Sequence, residues 1–374
     1  MRKVALFLAA VVLLSVFGVV ASPAVSAADT GKVVIAVDLA HGENPKGLTD
    51  VTYKGKVLTQ GMLKTLTQYT FVYFGDPKYE SDLGIKRLGD KITYEALKNN
   101  NVKILILGQP TSPLLPDEIK AIKEWLQEGG KVLWVAADSD YGNGAKTQQF
   151  VDSLLDQLNI TNLRVDLCSV EDPVSNAGGK SYRVVAYDDP WKDTPKRDIL
   201  VQNLKYGGKV LAHGPGVVAW VDGKDGSGNW HQLNETSKPK YAYVIVHSNS
   251  SSDIVENNAP AANAYQAGET GKFPIVAAQI VPLGDNKQPD VIIVSGETPI
   301  GGYEPMWASE YYGVKLDGPT VIANILQWSL EMTKGLPTTS TSTSTTSSSG
   351  KSGICGPAFI VGLAVLPLLL RKRR

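Results

Sequence analysis

"VKILILGQPTSPLLPDEIKAIKEWLQEGGKVLWVAA", Val102 to Ala137, is the stretch whose reading decides the fold. It opens on an unbroken apolar run of strand length, Val102 to Gly108, and closes on another, Lys131 to Ala137. Between them Pro116 starts a helix on which Ile119, Ile122 and Leu126 share one face, and Gly129-Gly130 ends it. Runs without polar alternation predict strands covered on both sides, the habit of α/β sheets.

The pattern continues outward. "KVVIAVDLA" (Lys32 to Ala40) and "YTFVYFG" (Tyr69 to Gly75) read as two more buried strands; "KVLTQGMLKTL" (Lys56 to Leu66) and "TYEALKNN" read as helices. "KTQQFVDSLLDQLN" is the helix after "KVLWVAA". Beyond Thr161 the pieces are more strand-like: "LRVDLCSV", "YRVVAY", "KVLAHGPGVVAWV" (Lys209 to Val221), "YAYVIVHS", "FPIVAAQIVP" and "DVIIVSGE". "DGKDGSGN" (Asp222 to Asn229) has acids out of register for an EF-hand and reads as a hairpin turn. "TVIANILQWSLEM" closes the body as an amphipathic helix with Val321, Ile325 and Trp328 along one side.

The ends are of different composition. Arg2 and Lys3 precede an apolar stretch from Val4 to Ala21, and Val25-Ser26-Ala27 offers the small residues of a cleavage site, so 1–27 is expected to be a signal peptide. The body is expected to span 28–335, followed by a Ser/Thr-rich stalk over 336–353 and a membrane or sorting segment over 354–374. Thr338 to Ser349 is entirely Ser and Thr and cannot build a core. Ile354 to Leu370 carries no charge, and as a helix rising about 1.5 Å per residue it barely crosses a bilayer core of about 30 Å. Four terminal cations, Arg371 to Arg374, would hold its end on the cytoplasmic side and leave the body outside the cell. Asn159, Asn234 and Asn249 head sequons that an exported chain exposes to glycosylation.

Seven of the 37 cations belong to the ends, which leaves 30 in the body against all 37 acids. That balance argues against nucleic acid as a partner, because phosphate binding draws on clustered cations. Cys168 sits in a strand-like run and reads as a small buried hydrophobe rather than a nucleophile.

Two resemblances add to this reading. Cys355-Gly356-Pro357, a short apolar segment and a basic end, set behind a Ser/Thr tract, resemble the CGP-CTERM sorting signal of archaeal surface proteins. That resemblance implies a cell-surface protein anchored at its tail, with Cys355 as the site of processing or lipidation. In the body, "VDLAHGE", the Val102 to Ala137 stretch, "KVLAHGPGVVA", "FPIVAAQIV", "VIIVSGE" and "NILQWSL" run in the order seen in non-enzymatic class I glutamine-amidotransferase-like domains. Such domains occur in accessory proteins of ABC-type transport and gliding systems and in intraflagellar transport proteins. The resemblance implies a flavodoxin-like α/β fold: a mostly parallel sheet, helices on both faces and extra β-rich insertions.

In an open α/β sheet ligands bind beyond the carboxyl ends of the strands. Those ends carry Asp38, His41 and Glu43, then Asp76, Gln109, Asp138, Ser139 and Asp140, then His213 and Glu297. Oxygen and imidazole groups on one rim suit a hard cation or a hydroxylated ligand, while strand-end Asp and Ser also serve as ordinary helix caps. No cofactor motif is present. An active amidotransferase needs a cysteine at the strand-to-helix elbow, which falls near Ala137, Asp138 and Ser139, and none is there. Ser139 with His41 or His213 is the remaining nucleophile and base pairing. Trp307, in the loop Tyr303 to Gly313, is a candidate for stacking on a sugar or partner protein. Asp38, His41, Glu43, Asp138, Asp140, His213 and Trp307 are therefore the candidate ligand-binding set. The sequence supports a membrane-tethered extracellular protein, catalytically inert, that binds a partner protein, glycan or solute. The rivals are a surface hydrolase or metal-dependent enzyme and an accessory subunit of an ABC-type transporter.

Overall fold

The computed structural model describes residues 31–336 apart from positions 54 and 285. The expected signal peptide, the tail with Cys355 and all but the first residue of the stalk lie outside the described residues. No helix among the described residues is long and apolar enough to cross a membrane.

The chain begins with β1 (Val33–Leu39), a ribbon of β2 (Val51–Tyr53) and β3 (Lys56–Thr59), and a single-turn helix, α1 (Met62–Thr65). There follow β4 (Tyr69–Gly75), α2 (Lys78–Leu83), β5 (Lys86–Gly89), α3 (Tyr94–Asn99), β6 (Val102–Leu107) and α4 (Pro116–Leu126). Next come β7 (Val132–Ala136), α5 (Gly144–Leu158), β8 (Leu163–Glu171), β9 (Arg183–Asp188), α6 (Arg197–Leu200) and β10 (Lys209–His213). β11 (Gly216–Val221), β12 (Trp230–Gln232), β13 (Ala242–His247), β14 (Ser252–Val255) and β15 (Thr270–Gly271) lead to β16 (Pro274–Val281) and β17 (Asp290–Ser295). A second ribbon, β18 (Glu310–Tyr311) with β19 (Val314–Lys315), precedes α7 (Gly318–Met332).

Ten strands form the main sheet in the order β10-β9-β13-β16-β17-β7-β6-β1-β4-β5. From β5 to β17 all neighbours are parallel. From β17 to β10 all are antiparallel. A separate antiparallel sheet, β12-β11-β8-β14-β15, lies with β8 and β11 against β16 and β17.

This architecture corrects the expected flavodoxin-like, mostly parallel sheet. Four of the nine strand pairings in the main sheet are antiparallel, a second five-stranded sheet covers part of one face, and helices are few. The physical reason is that unbroken apolar runs report burial on two faces and carry no information on strand direction. β16 is buried at every position, yet both its neighbours are antiparallel.

The core lies on both sides of the main sheet. On one, Leu97 of α3, Ile122 and Trp125 of α4, and Val151 and Leu155 of α5 join Ala36, Leu105, Leu133 and Val135 in one apolar cluster. On the other, Ile322, Ile325 and Trp328 of α7 pack with Ile104, Trp134, Ile293 and Met62. Each fully buried large side chain of this kind contributes about 1.5–3 kcal/mol. α4 starts as its residues dictate: Pro116 stands in the first turn, and Glu118 reaches back to accept the amide of Leu115 at 2.9 Å.

Two local expectations also change. Lys56 to Leu66 is not a helix but β3 followed by one turn. β-branched Val57 and Thr59 favour extended chain, and a Cβ at Gly61 would sit 2.3 Å from the carbonyl of Leu48, so the segment is fixed by close backbone approach. Lys209 to Val221 is not one strand but two in different sheets, broken at Gly214 (φ +64°) and Pro215. α2, short and largely exposed, and β5, short and mostly half-buried, had no apolar period to announce them. The "DGKDGSGN" segment is, as expected, the turn of the β11–β12 hairpin.

Candidate functional site

β1 delivers Asp38 to the rim, and the turn that follows folds His41 back over it. His41 Nδ1 lies 2.7 Å from Asp38 Oδ2, its Nε2 lies 3.0 Å from Glu118 Oε2, and its amide donates to Glu43 Oε2 at 2.9 Å. All four side chains are buried. Burial opposes charge on the ring, but the hydrogen bonds to Asp38 and Glu118 outweigh it and lift His41 to about 10. Burial pushes Glu43 well above the ordinary glutamate range, and the charge of Asp38 adds to this. Burial also works to raise Glu118, yet its bonds from His41, Leu115 and Ile92 hold it below the usual value. His41 is thus held between two carboxylates and is not free to serve Ser139 as a base.

A second group forms where β7, β10 and β17 end. Glu297 is fully buried; its Oε1 accepts from Gln109 Nε2 at 3.2 Å and the Thr298 amide at 2.8 Å, and its Oε2 accepts the His213 amide at 2.6 Å. Burial raises Glu297 well above the ordinary range, and nearby Asp138 reinforces this. Asp138, half-buried, is raised to about 6 by burial, against the pull of the Ser139 amide at 2.7 Å. Burial lowers His213 to about 4, helped by the cations Arg183 and Lys46, so the ring is neutral at pH 7. Ser139 Oγ accepts from the Tyr141 amide at 3.2 Å, a bond of its own turn.

These groups border an open cleft of about 600 Å³, lined by Asp138, Ser139, Tyr141, Arg183, His213 and Tyr303 among others. Tyr141 and Tyr303 are 74% and 72% exposed. The His213 ring lies 4.9 Å from that of Tyr303 and 5.5 Å from that of Tyr182, which also lines the cleft. Arg183 stacks over Tyr312 with its guanidinium carbon 4.0 Å from the ring centre. An aromatic rim around a neutral imidazole and polar side chains offers flat apolar faces and donor or acceptor edges at once.

The predicted residues therefore divide. Asp38, His41 and Glu43 come together, joined by Glu118, which sequence reasoning placed only on a helix. Asp138 and His213 meet at the cleft. Asp140 is instead a strut: Oδ1 accepts from Ser169 Oγ and Asn257 Nδ2, and Oδ2 from the amides of Asn257 and Asn258. Trp307 is fully buried, donating from Nε1 to the Gln60 carbonyl at 2.8 Å, and so presents no face to a ligand. Tyr303, in the same loop, does. Tyr141, Tyr182 and Arg183 were missed because isolated residues at strand and turn edges carry no spacing signal. Cys168 is buried, and burial pushes its thiol up, away from reactivity. Asn159 and Asn234 are exposed and Asn249 is half-buried.

No family model matches the chain. No curated protein matches it. Among solved structures the chain is similar to the mmIFT52 N-terminal domain, with 16% identity and a TM-score of 0.45 over 81% of this chain and 98% of that one.

Proposed function

We propose that this chain is a membrane-tethered extracellular protein whose folded body is a non-catalytic binding domain, with the tyrosine-rimmed cleft as its ligand site. The observation that carries the reading is the pairing of Tyr141, Tyr182 and Tyr303, all exposed, with neutral His213 across one open cleft. Rings of this kind bring large contact area at small entropic cost and stack well on sugars. A glycan is the ligand class that best uses both the rings and the hydrogen-bonding floor; a partner protein or a solute is the alternative occupant. The apolar tail with its terminal cations and the leader-like start support the tether and the extracellular placement.

One observation favours a second reading. Asp138 faces the cleft with its carboxyl raised to about 6, a value at which it can donate a proton, as a hydrolase acid would. Titrating the purified full chain with defined oligosaccharides by calorimetry separates the two. Binding without turnover, weakened at least tenfold by Tyr303→Ala, supports the binding domain. Turnover lost in Asp138→Asn would replace it with a hydrolase. Protease treatment of intact cells checks the placement, since an extracellular body is trimmed and an internal one is spared.

A further inference from the structure

Asp38, His41 and Glu43 put one ligand atom each within 4.8 Å of one another, and all three are buried. Two features set them apart from ordinary strand-end polarity. Glu43 Oε1 is sealed from solvent and has no hydrogen-bond partner, in a side chain only 5% exposed. A buried carboxyl oxygen without a partner is costly and leaves an acceptor open to an ion. The second feature is Glu118. It stands behind the imidazole at Nε2, 3.0 Å away, and is itself fixed by the amides of Leu115 and Ile92, each at 2.9 Å. A carboxylate placed on the far nitrogen is the device that sets the tautomer and angle of a metal-bound histidine.

We propose that Asp38, His41 and Glu43 form a binding site for a divalent transition ion of the Zn²⁺ type, with Nδ1 of His41 and one oxygen from each carboxylate as ligands. Glu118 is the positioning residue, accepting from Nε2–H. The donor set chooses the class of ion: an imidazole with two carboxylates suits Zn²⁺ and its first-row neighbours, whereas Ca²⁺ and Mg²⁺ prefer oxygen alone. In the ion-free form a proton occupies the 2.7 Å contact between Nδ1 and Asp38 Oδ2. On loading, the ion takes the Nδ1 lone pair, that proton passes to solvent together with any that the Glu43 carboxyl holds, and Nε2 keeps its own. No electron is transferred. The site is separate from the cleft and does not depend on how the cleft is read.

Co²⁺, a coloured substitute for Zn²⁺, provides the test. The purified full chain is stripped with chelator, warmed with Co²⁺ to admit the ion to a buried site, and examined by visible absorption, metal content and proton release. One ion per chain, a ligand-field band and release of at least one proton per ion are expected. Glu43→Gln keeps the shape of the side chain and should weaken uptake at least tenfold with an unchanged circular dichroism spectrum. His41→Ala should abolish the band; should that variant not fold, Glu43→Gln still decides. A folded wild-type chain that takes up no stoichiometric ion, or a Glu43→Gln chain that loads as wild type does, would overturn the proposal.

Discussion

The amide of His213 donates to Glu297 Oε2 at 2.6 Å, although three strands separate β10 from β17 in the sheet order. Strands spaced about 4.8 Å apart in a flat sheet would hold those ends roughly 19 Å from each other. The segment after β17 therefore reaches across to the end of β10, beside His213, which lines the cleft. Glu297→Ala should leave the amides of His213 and Thr298 unpaired, at about 1–3 kcal/mol for each buried group. Urea unfolding should show a lower midpoint at constant slope, and ligand binding at His213 should weaken in parallel.

Asp188 links pH to stability. Burial raises it to about 8, and neither carboxylate oxygen has a hydrogen-bond partner. Its folded value lies above the unfolded one of about 3.9, so the native state holds the proton through that window. Stability should fall as pH rises from about 4 to about 8 and level off above. Asp188→Asn imitates the neutral form, and unfolding measured from pH 5 to 9 should show a flatter profile, with a gain of about 1–3 kcal/mol at pH 9.

Arg164 is fully buried and holds the β11–β12 hairpin from beneath. It donates to the carbonyls of Thr161, Leu163 and Lys224 and pairs with Asp156 at 2.8 Å. Arg164→Met should cost at least about 2 kcal/mol, because several acceptors lose their donor together. Limited proteolysis should cut first within 222–229 in the variant and not in the wild type.

Ile122 tests the helix-covered face. It is wholly buried between α4 and the sheet, and Ile122→Ala should lose about 2–5 kcal/mol by leaving a cavity. Tyr303→Ala, at a ring 72% exposed, should change stability by no more than about 0.5 kcal/mol while it lowers affinity at the cleft. Comparing the two variants by thermal melts and by ligand titration separates folding from binding.

Much of the chain could be read locally. The buried strands, α4 with its Pro116 start, α5, α7 and the hairpin at 222–229 all followed from apolar period and turn chemistry. What could not be read is pairing. Nothing in "FPIVAAQIVP" distinguishes a parallel from an antiparallel neighbour, and nothing in "KVLAHGPGVVAWV" says that its halves join different sheets, save Pro215. At the sites, the residues near β1 were legible because three of them crowd within six positions, 38 to 43. Glu118 and Arg183 were not, since each arrives from a distant element and its meaning lies in contacts the linear order does not encode.

The break at Gly214-Pro215 has a mechanical meaning. One short segment is stitched into both sheets, and there is no spare chain between its two seams. Pulling either sheet loose must tug the other, so the two should melt as a single cooperative unit, and a fluorophore on one should report the loss of both.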